Sequence, residues 1–309
     1  MAGRFVEGTD FSAALIPGDW KHQLISANGS RFHLARSGPD ETEGRLVVLL
    51  HGFGQFWWAW RHQLVALGEA GYRTVALDLR GYAASDKPPI GHTLPDLAAD
   101  VAAIVRSLGV SRAVVVGHGL GGLVAWTMTA TEPSVLEAAC VVDAPHPAAP
   151  NVGVKSMSTA LALAQAGLLK APMFAERAIL EGDLIPHLLR TWSGPGWPSP
   201  AEAETYRTLM RVPFAANKAL EQLKWAMGRF AGASRRRFEE LFEAGPTVPV
   251  LQIQGTADHF LRASHVAAHE LGGSQYEWQL VPGAGHFVPE EVPDTCSDLL
   301  LEWLGRLPK

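Results

Sequence analysis

Cysteine, tyrosine and long apolar runs are all scarce in this chain. Its 309 residues include two cysteines and four tyrosines. Cys140 and Cys296 stand far apart, share no motif and have apolar flanks. Two reduced thiols in a cytoplasmic protein are the expectation, and one disulfide is the alternative. No staple is needed, because a chain of this length buries most of its unfolded surface. No apolar run reaches the roughly 18 residues of a membrane span. The opening MAGRFVEGTDFSAALIPGDW lacks a charged start followed by an apolar core, so no signal peptide is expected. Excess positive charge is absent too. The net charge is −5, which argues against nucleic acid as a partner. The one basic cluster, Arg235 to Arg237, sits beside Glu239 and Glu240 and reads as a solvated face. His265 and His269 have i, i+4 spacing but no third ligand, so neither metal nor cofactor is expected.

What is present is an alternation of strands and helices. WKHQLISANGSRFHLARSG reads as two strands around an Asn28-Gly29 hairpin turn. RLVVLLHGFG and YRTVALDLRG are short continuous apolar runs of the kind that sheets covered on both faces require. FWWAWRHQLVALGEAG has helical period and ends at Gly71. TLPDLAADVAAIVRSLGV is a helix with Thr93 or Asp96 as its cap. From Ala113 the chain gives a strand, a helix from about Leu120 to Ala130, and a strand ending near Asp143. Residues 147–245 then show helical period with a break at 193–200. TVPVLQIQGTAD, a helix near 263–271, YEWQLVPGAGH and a closing helix at 293–306 resume the alternation. The expectation is an α/β fold: a mostly parallel, eight-stranded sheet with helices on both faces, formed by residues 1–146 and 246–309. Residues 147–245 form an all-helical lid after the sixth strand.

Four small or polar clusters follow strands: His51 to Gly54, Gly117 to Gly122, Asp258 and His286. Open parallel sheets bind ligands outside the carboxyl ends of their strands. VVVGHGLGG has the G-x-nucleophile-x-G form of a nucleophile elbow, the sharp strand-to-helix turn that presents an attacking side chain. Position 119, where that side chain belongs, is glycine. The spacing does not suit a phosphate loop, and no lysine follows. Asp258 lies 28 positions before His286, each after its own strand, an order that suits an acid orienting an imidazole. Backbone N–H groups of Leu120 and Phe53 are the expected oxyanion donors, with His51 bracing their loop. Asp143, after the sixth strand, is the alternative acid. His118 reads as a packing residue.

The chain resembles the α/β-hydrolase fold family over nearly its whole length, and within it the epoxide hydrolase branch. HGFGQFWWAWRHQLVAL is similar to that branch's HGFP-x-x-WYSWRHQ segment, and ALDLRGYAASDKPP to its D-x-RGYG-x-SDKP segment. DAPHP after the sixth strand also matches. The resemblance implies an aspartate at 119, a following tryptophan, a proline at 54 and two lid tyrosines. This sequence has Gly119, Leu120, Gly54 and one lid tyrosine, Tyr206, with Trp225 near the expected second place. Leu120 is closer to an esterase elbow, G-H-S-L-G-G, with its serine removed.

The expected function is therefore that of a hydrolase of a small apolar ester, lactone or epoxide. The Asp258–His286 pair activates water and no side-chain nucleophile takes part. The alternative is an inactive homologue that binds a small apolar ligand. A chain whose reactive side chain was removed by design is a third reading, though alanine is the commoner replacement. Trp57, Trp58, Trp225 and Phe287 are candidate pocket residues, and Leu161, Leu163, Leu168, Leu169, Met173 and Phe174 a candidate apolar ceiling. A monomer or homodimer is expected.

Overall fold

The computed structural model describes residues 9–39, 44–149, 172–227, 233–261, 268 and 271–308. The sheet has eight strands: β1 (Lys21–Ala27), β2 (Ser30–Ser37), β3 (Leu46–Leu50), β4 (Arg73–Leu77), β5 (Ala113–His118), β6 (Leu136–Val142), β7 (Val250–Gly255) and β8 (Tyr276–Val281). Their spatial order is β1-β2-β4-β3-β5-β6-β7-β8. β2 runs antiparallel to β1 and β4, and all other pairs are parallel. The β1–β2 turn is Asn28-Gly29, both with positive φ, as a type I′ hairpin requires.

Burial explains the sequence pattern. β3, β5 and β7 are buried at every position, whereas β8, at the sheet edge, is partly exposed. Central strands are covered on both sides by helices, so they carry unbroken Val and Leu runs. The covering helices are α1 (Arg61–Glu69), α2 (Leu94–Ser107), α3 (Leu120–Thr131) and, near the C-terminus, α9 (Val288–Glu291) and α10 (Pro293–Arg306). α2 starts in a capping box: the Thr93 hydroxyl accepts the Asp96 N–H, and the Asp96 carboxylate accepts the Thr93 N–H. That satisfies two backbone donors the helix leaves open.

Between β6 and β7 the described chain is helical: α4 (Pro172–Leu180), α5 (Leu184–Trp192), α6 (Pro200–Leu209), α7 (Ala215–Ala226) and α8 (Ala233–Glu240). Leu161, Leu163, Leu168 and Leu169 lie outside the described residues. Met173 and Phe174 are exposed, at 82% and 78%, so they form no apolar ceiling. The expected helix near 263–271 also lies mostly outside the described residues, with His265 and His269. Both cysteines are buried and free. No helix among the described residues is long and apolar enough to cross a membrane.

Candidate active site

The turn from β5 into α3 is the centre of the site. Gly119 has φ 53° and ψ −111°, a conformation that strains any residue with a Cβ. Its N–H donates to Val142 O at 2.9 Å, and the Gly121 N–H donates to His51 O at 3.1 Å. The neighbouring glycines are sterically required. A Cβ on Gly117 would overlap the Gly121 carbonyl, and one on Gly121 would overlap the Leu50 carbonyl. Position 119 differs. Among the described residues, a Cβ there would meet Gly52 Cα and His286 Nε2, each at 3.6 Å, which is ordinary contact. The backbone therefore holds the shape of an elbow, with room above it.

His286 completes the arrangement. Its Nδ1 lies 2.8 Å from Asp258 Oδ2. Asp258 is fixed in turn: Oδ1 accepts the Phe260 and Leu261 N–H groups, each at 2.7 Å, and Oδ2 accepts from Gln254 Nε2 at 2.9 Å. Those donors leave the carboxylate as the acceptor for His286 Nδ1–H. In the neutral ring Nε2 is then a bare lone pair, and it faces the space over Gly119. The imidazole is only 3% exposed and is walled by Trp192, Phe260 and Phe287.

Asp143 makes no hydrogen bond to His286. Its Oδ1 accepts the Gly255 N–H at 2.9 Å and its Oδ2 the Val288 N–H at 3.3 Å. Burial, then the Asp258 charge, raises its pKa well above the usual carboxylate range. The alternative acid is thus a clamp between β7 and α9.

The expected oxyanion loop is pinned from both sides. Gly52 donates to Gln55 Oε1 at 3.2 Å, and Gln55 N–H returns to Gly52 O at 3.3 Å. His51 Nε2 accepts the Leu79 N–H, so its Nδ1–H donates to Gly52 O. Burial lowers the His51 pKa, consistent with that neutral tautomer. Neither Phe53 nor Leu120 donates its backbone N–H to a described residue. Gly54 has φ +72°, which proline's ring forbids. The Gly54 departure therefore has a backbone cause.

Several candidates fall elsewhere. Trp57 is fully buried; its indole donates to Ala14 O at 2.7 Å and packs on Trp20, His22 and His33. Trp58 lies under the Arg61 guanidinium at 3.8 Å, beside Phe56 and Tyr206. Trp225 packs edge-on against Phe238. Of the four aromatic candidates, Phe287 alone touches His286. Tyr206 donates its hydroxyl to Glu290 Oε1 at 2.7 Å, and Arg61 and Gln55 bind the same carboxylate.

Sequence reading missed the residues that hold the histidine. His118 Nε2 lies 2.6 Å from His286 O, and His118 Nδ1 lies 2.9 Å from Gln55 Oε1. Trp192, ending α5, accepts the His286 N–H at 3.0 Å. Glu291 accepts from Gly285 and Phe287 N–H. Only His118, next to the elbow, carried a local signal. Among the described residues no three His, Cys, Asp or Glu side chains are placed to hold a metal ion.

A family model for the alpha/beta hydrolase fold matches residues 45–293. The chain belongs to the α/β-hydrolase fold family. Among its relatives, the AB hydrolase superfamily protein YfhM of Bacillus subtilis is 29% identical over 296 residues, 92% of this chain and 98% of that protein. Epoxide hydrolase A of Mycobacterium tuberculosis is also 29% identical, over 317 residues, covering 92% of this chain and 97% of its own length. The solved structure of epoxide hydrolase CorEH without ligand superposes with a TM-score of 0.77 at 27% identity, covering 94% of this chain and 100% of that one. Within the α/β-hydrolase family, the likeness is to the epoxide hydrolase branch.

Proposed function

We propose that this α/β-hydrolase acts without a covalent step, with His286 deprotonating a water that stands over Gly119. The observation that carries the reading is the placement of His286 Nε2, 3.6 Å from where a Gly119 Cβ would stand, with Asp258 on its other nitrogen. Asp258 orients the ring and stabilises the imidazolium formed as water gives up its proton. The Phe53 and Leu120 N–H groups receive the developing oxyanion. Serine proteases stripped of triad members keep a residual ~10³–10⁴-fold acceleration from such donors and binding. The loss of the nucleophile is thus compatible with turnover.

Within the expected substrates, a small apolar ester or lactone is favoured over an epoxide. In ester or lactone hydrolysis the leaving alkoxide takes back the proton that His286 drew from water, whereas an epoxide oxygen must be protonated as the ring opens, while His286 still acts as base and a second acid is needed. Tyr206, the one lid tyrosine, has its hydroxyl on Glu290. Trp192, Phe260 and Phe287 supply the apolar surroundings. Residues 147–245 act as the lid, joined to the core site through the Trp192–His286 bond. No cofactor enters this scheme. The competing reading, a small-molecule binding protein without turnover, draws its support from Gly119 itself.

A panel of short esters, lactones and epoxides assayed with wild type and His286→Ala tests the proposal. Ester or lactone turnover lost in His286→Ala is expected. Equal inertness of both proteins, with retained ligand binding, would favour the binding protein.

A further inference from the structure

We infer that the space over Gly119 is a binding site for a small free carboxylate, such as formate, taken up together with one proton. The inference uses the same residues as the proposed function but does not depend on turnover.

The site has three independent parts. The first is room: a carbon attached at 119 would sit in ordinary contact, 3.6 Å from both Gly52 Cα and His286 Nε2. The second is a pair of backbone donors, the Leu120 and Phe53 N–H groups, which bond to no described residue, while the Gly121 N–H is taken by His51 O. α3 is twelve residues long, begins at Leu120, has no side-chain cap and has no acidic residue in its first turn. Its positive end is therefore uncompensated from within the helix. The third is His286 Nε2, on a side chain more than nine-tenths buried and hydrogen-bonded to no described residue. It borders that space, 3.6 Å from where a Gly119 Cβ would stand.

The proton follows from the tautomer. Asp258 already accepts from Phe260, Leu261 and Gln254, so His286 Nδ1 keeps its hydrogen. A neutral ring then turns a lone pair toward position 119 and repels an anion. A carboxylate is received only when Nε2 also carries a hydrogen. The other titratable groups around His286 are committed. His118 is on the His286 carbonyl, Asp143 on the Gly255 and Val288 N–H groups, and Glu291 on the Gly285 and Phe287 N–H groups. Phe260 and Phe287 present only carbon rings, and Trp192 has a buried indole N–H without a partner among the described residues, a group that takes up no proton. His286 is therefore the group that takes the proton.

Calorimetric titration of the full chain with sodium formate, at one pH in two buffers of different ionisation enthalpy, tests this. Saturable binding is expected, with uptake approaching one proton per formate on the alkaline side. Affinity should fall by about tenfold or more in His286→Ala, the loss typical of a charged hydrogen bond. Binding should vanish in Gly119→Asp, whose own carboxylate fills the site. Equal heats in both buffers, undiminished binding in His286→Ala or Gly119→Asp, or no binding to wild type would each overturn the inference. If Gly119→Asp does not fold, the two-buffer experiment and His286→Ala decide. His286-dependent turnover without formate binding would overturn this inference alone. Proton-coupled formate binding in an inert chain would overturn the proposed function alone.

Discussion

The ring of His118 holds the backbone of His286: Nε2 lies 2.6 Å from that carbonyl oxygen. A carbonyl only accepts, so Nε2 is the donor. Burial lowers the His118 pKa to about 3, so the ring is neutral with its one hydrogen on Nε2, and Nδ1 donates nothing to Gln55 Oε1. The residue before the vacant position thus locks the loop of the histidine that faces it. His118→Phe removes the lock, and a small displacement of a reacting group costs about tenfold to a hundredfold. Turnover should fall by that much with little change in KM, and His118→Gln, which keeps a donor, should restore part of it. An unchanged kcat in His118→Phe would contradict the tether.

Two buried groups give stability opposite slopes with pH. His118 falls from 6.5 to about 3 on folding. As pH drops below 6.5 the unfolded chain gains a proton that the folded chain refuses, so stability declines toward pH 3. Glu290 rises from 4.5 to about 7 through burial. Its contribution is complete below 4.5 and is lost as pH climbs through 7. Urea unfolding of wild type and Glu290→Gln between pH 5 and 8 checks this. The difference should move in favour of Glu290→Gln with rising pH, by on the order of 1–3 kcal/mol. Parallel curves would contradict it.

Asp143 and Asp258 stand near the same histidine with different work to do. Asp258→Asn should lower kcat by about 10³-fold or more, since the ring loses its orienting carboxylate. Asp143→Asn should leave kcat within a few-fold and cost about 1–2 kcal/mol of stability, because an amide cannot accept both the Gly255 and Val288 N–H groups. Steady-state kinetics beside denaturation curves separates the two. A reversed pattern would make Asp143 the acid of the site.

Gly119→Ser restores an attacking oxygen one bond beyond a Cβ that sits 3.6 Å from His286 Nε2. The φ of 53° makes the substitution cost about 1–3 kcal/mol. A lowered Tm together with a burst of acyl-enzyme on an activated ester is the expected outcome. A folded variant showing no burst would mean that the elbow and His286 are out of register.

Local chemistry made part of the site readable from sequence. Asn28-Gly29 names its turn, the small residues at 117 and 121 announce a strand packed hard against a helix, and Asp258 and His286 each lie in the loop after a strand. The remainder depends on contacts between distant segments. Gln55 meets Glu290, and Arg61 meets both Glu290 and Glu202, pairings that no periodicity encodes. Tyr206 resembles a lid acid in sequence, yet its hydroxyl is taken by Glu290. Trp57 and Trp58 look alike as neighbours, but the short helical turn at Trp57–Trp60 sends one ring to the β1–β2 hairpin and the other to Arg61.

In the proposed reaction, water deprotonated by His286, and not a protein nucleophile, forms the new bond over position 119. Rapid-quench turnover of an activated short ester, followed by intact-protein mass, addresses it directly. Steady turnover without a burst, no mass added to the chain, and loss of the rate in His286→Ala are expected. A covalent adduct, or an equal rate in His286→Ala, would contradict it.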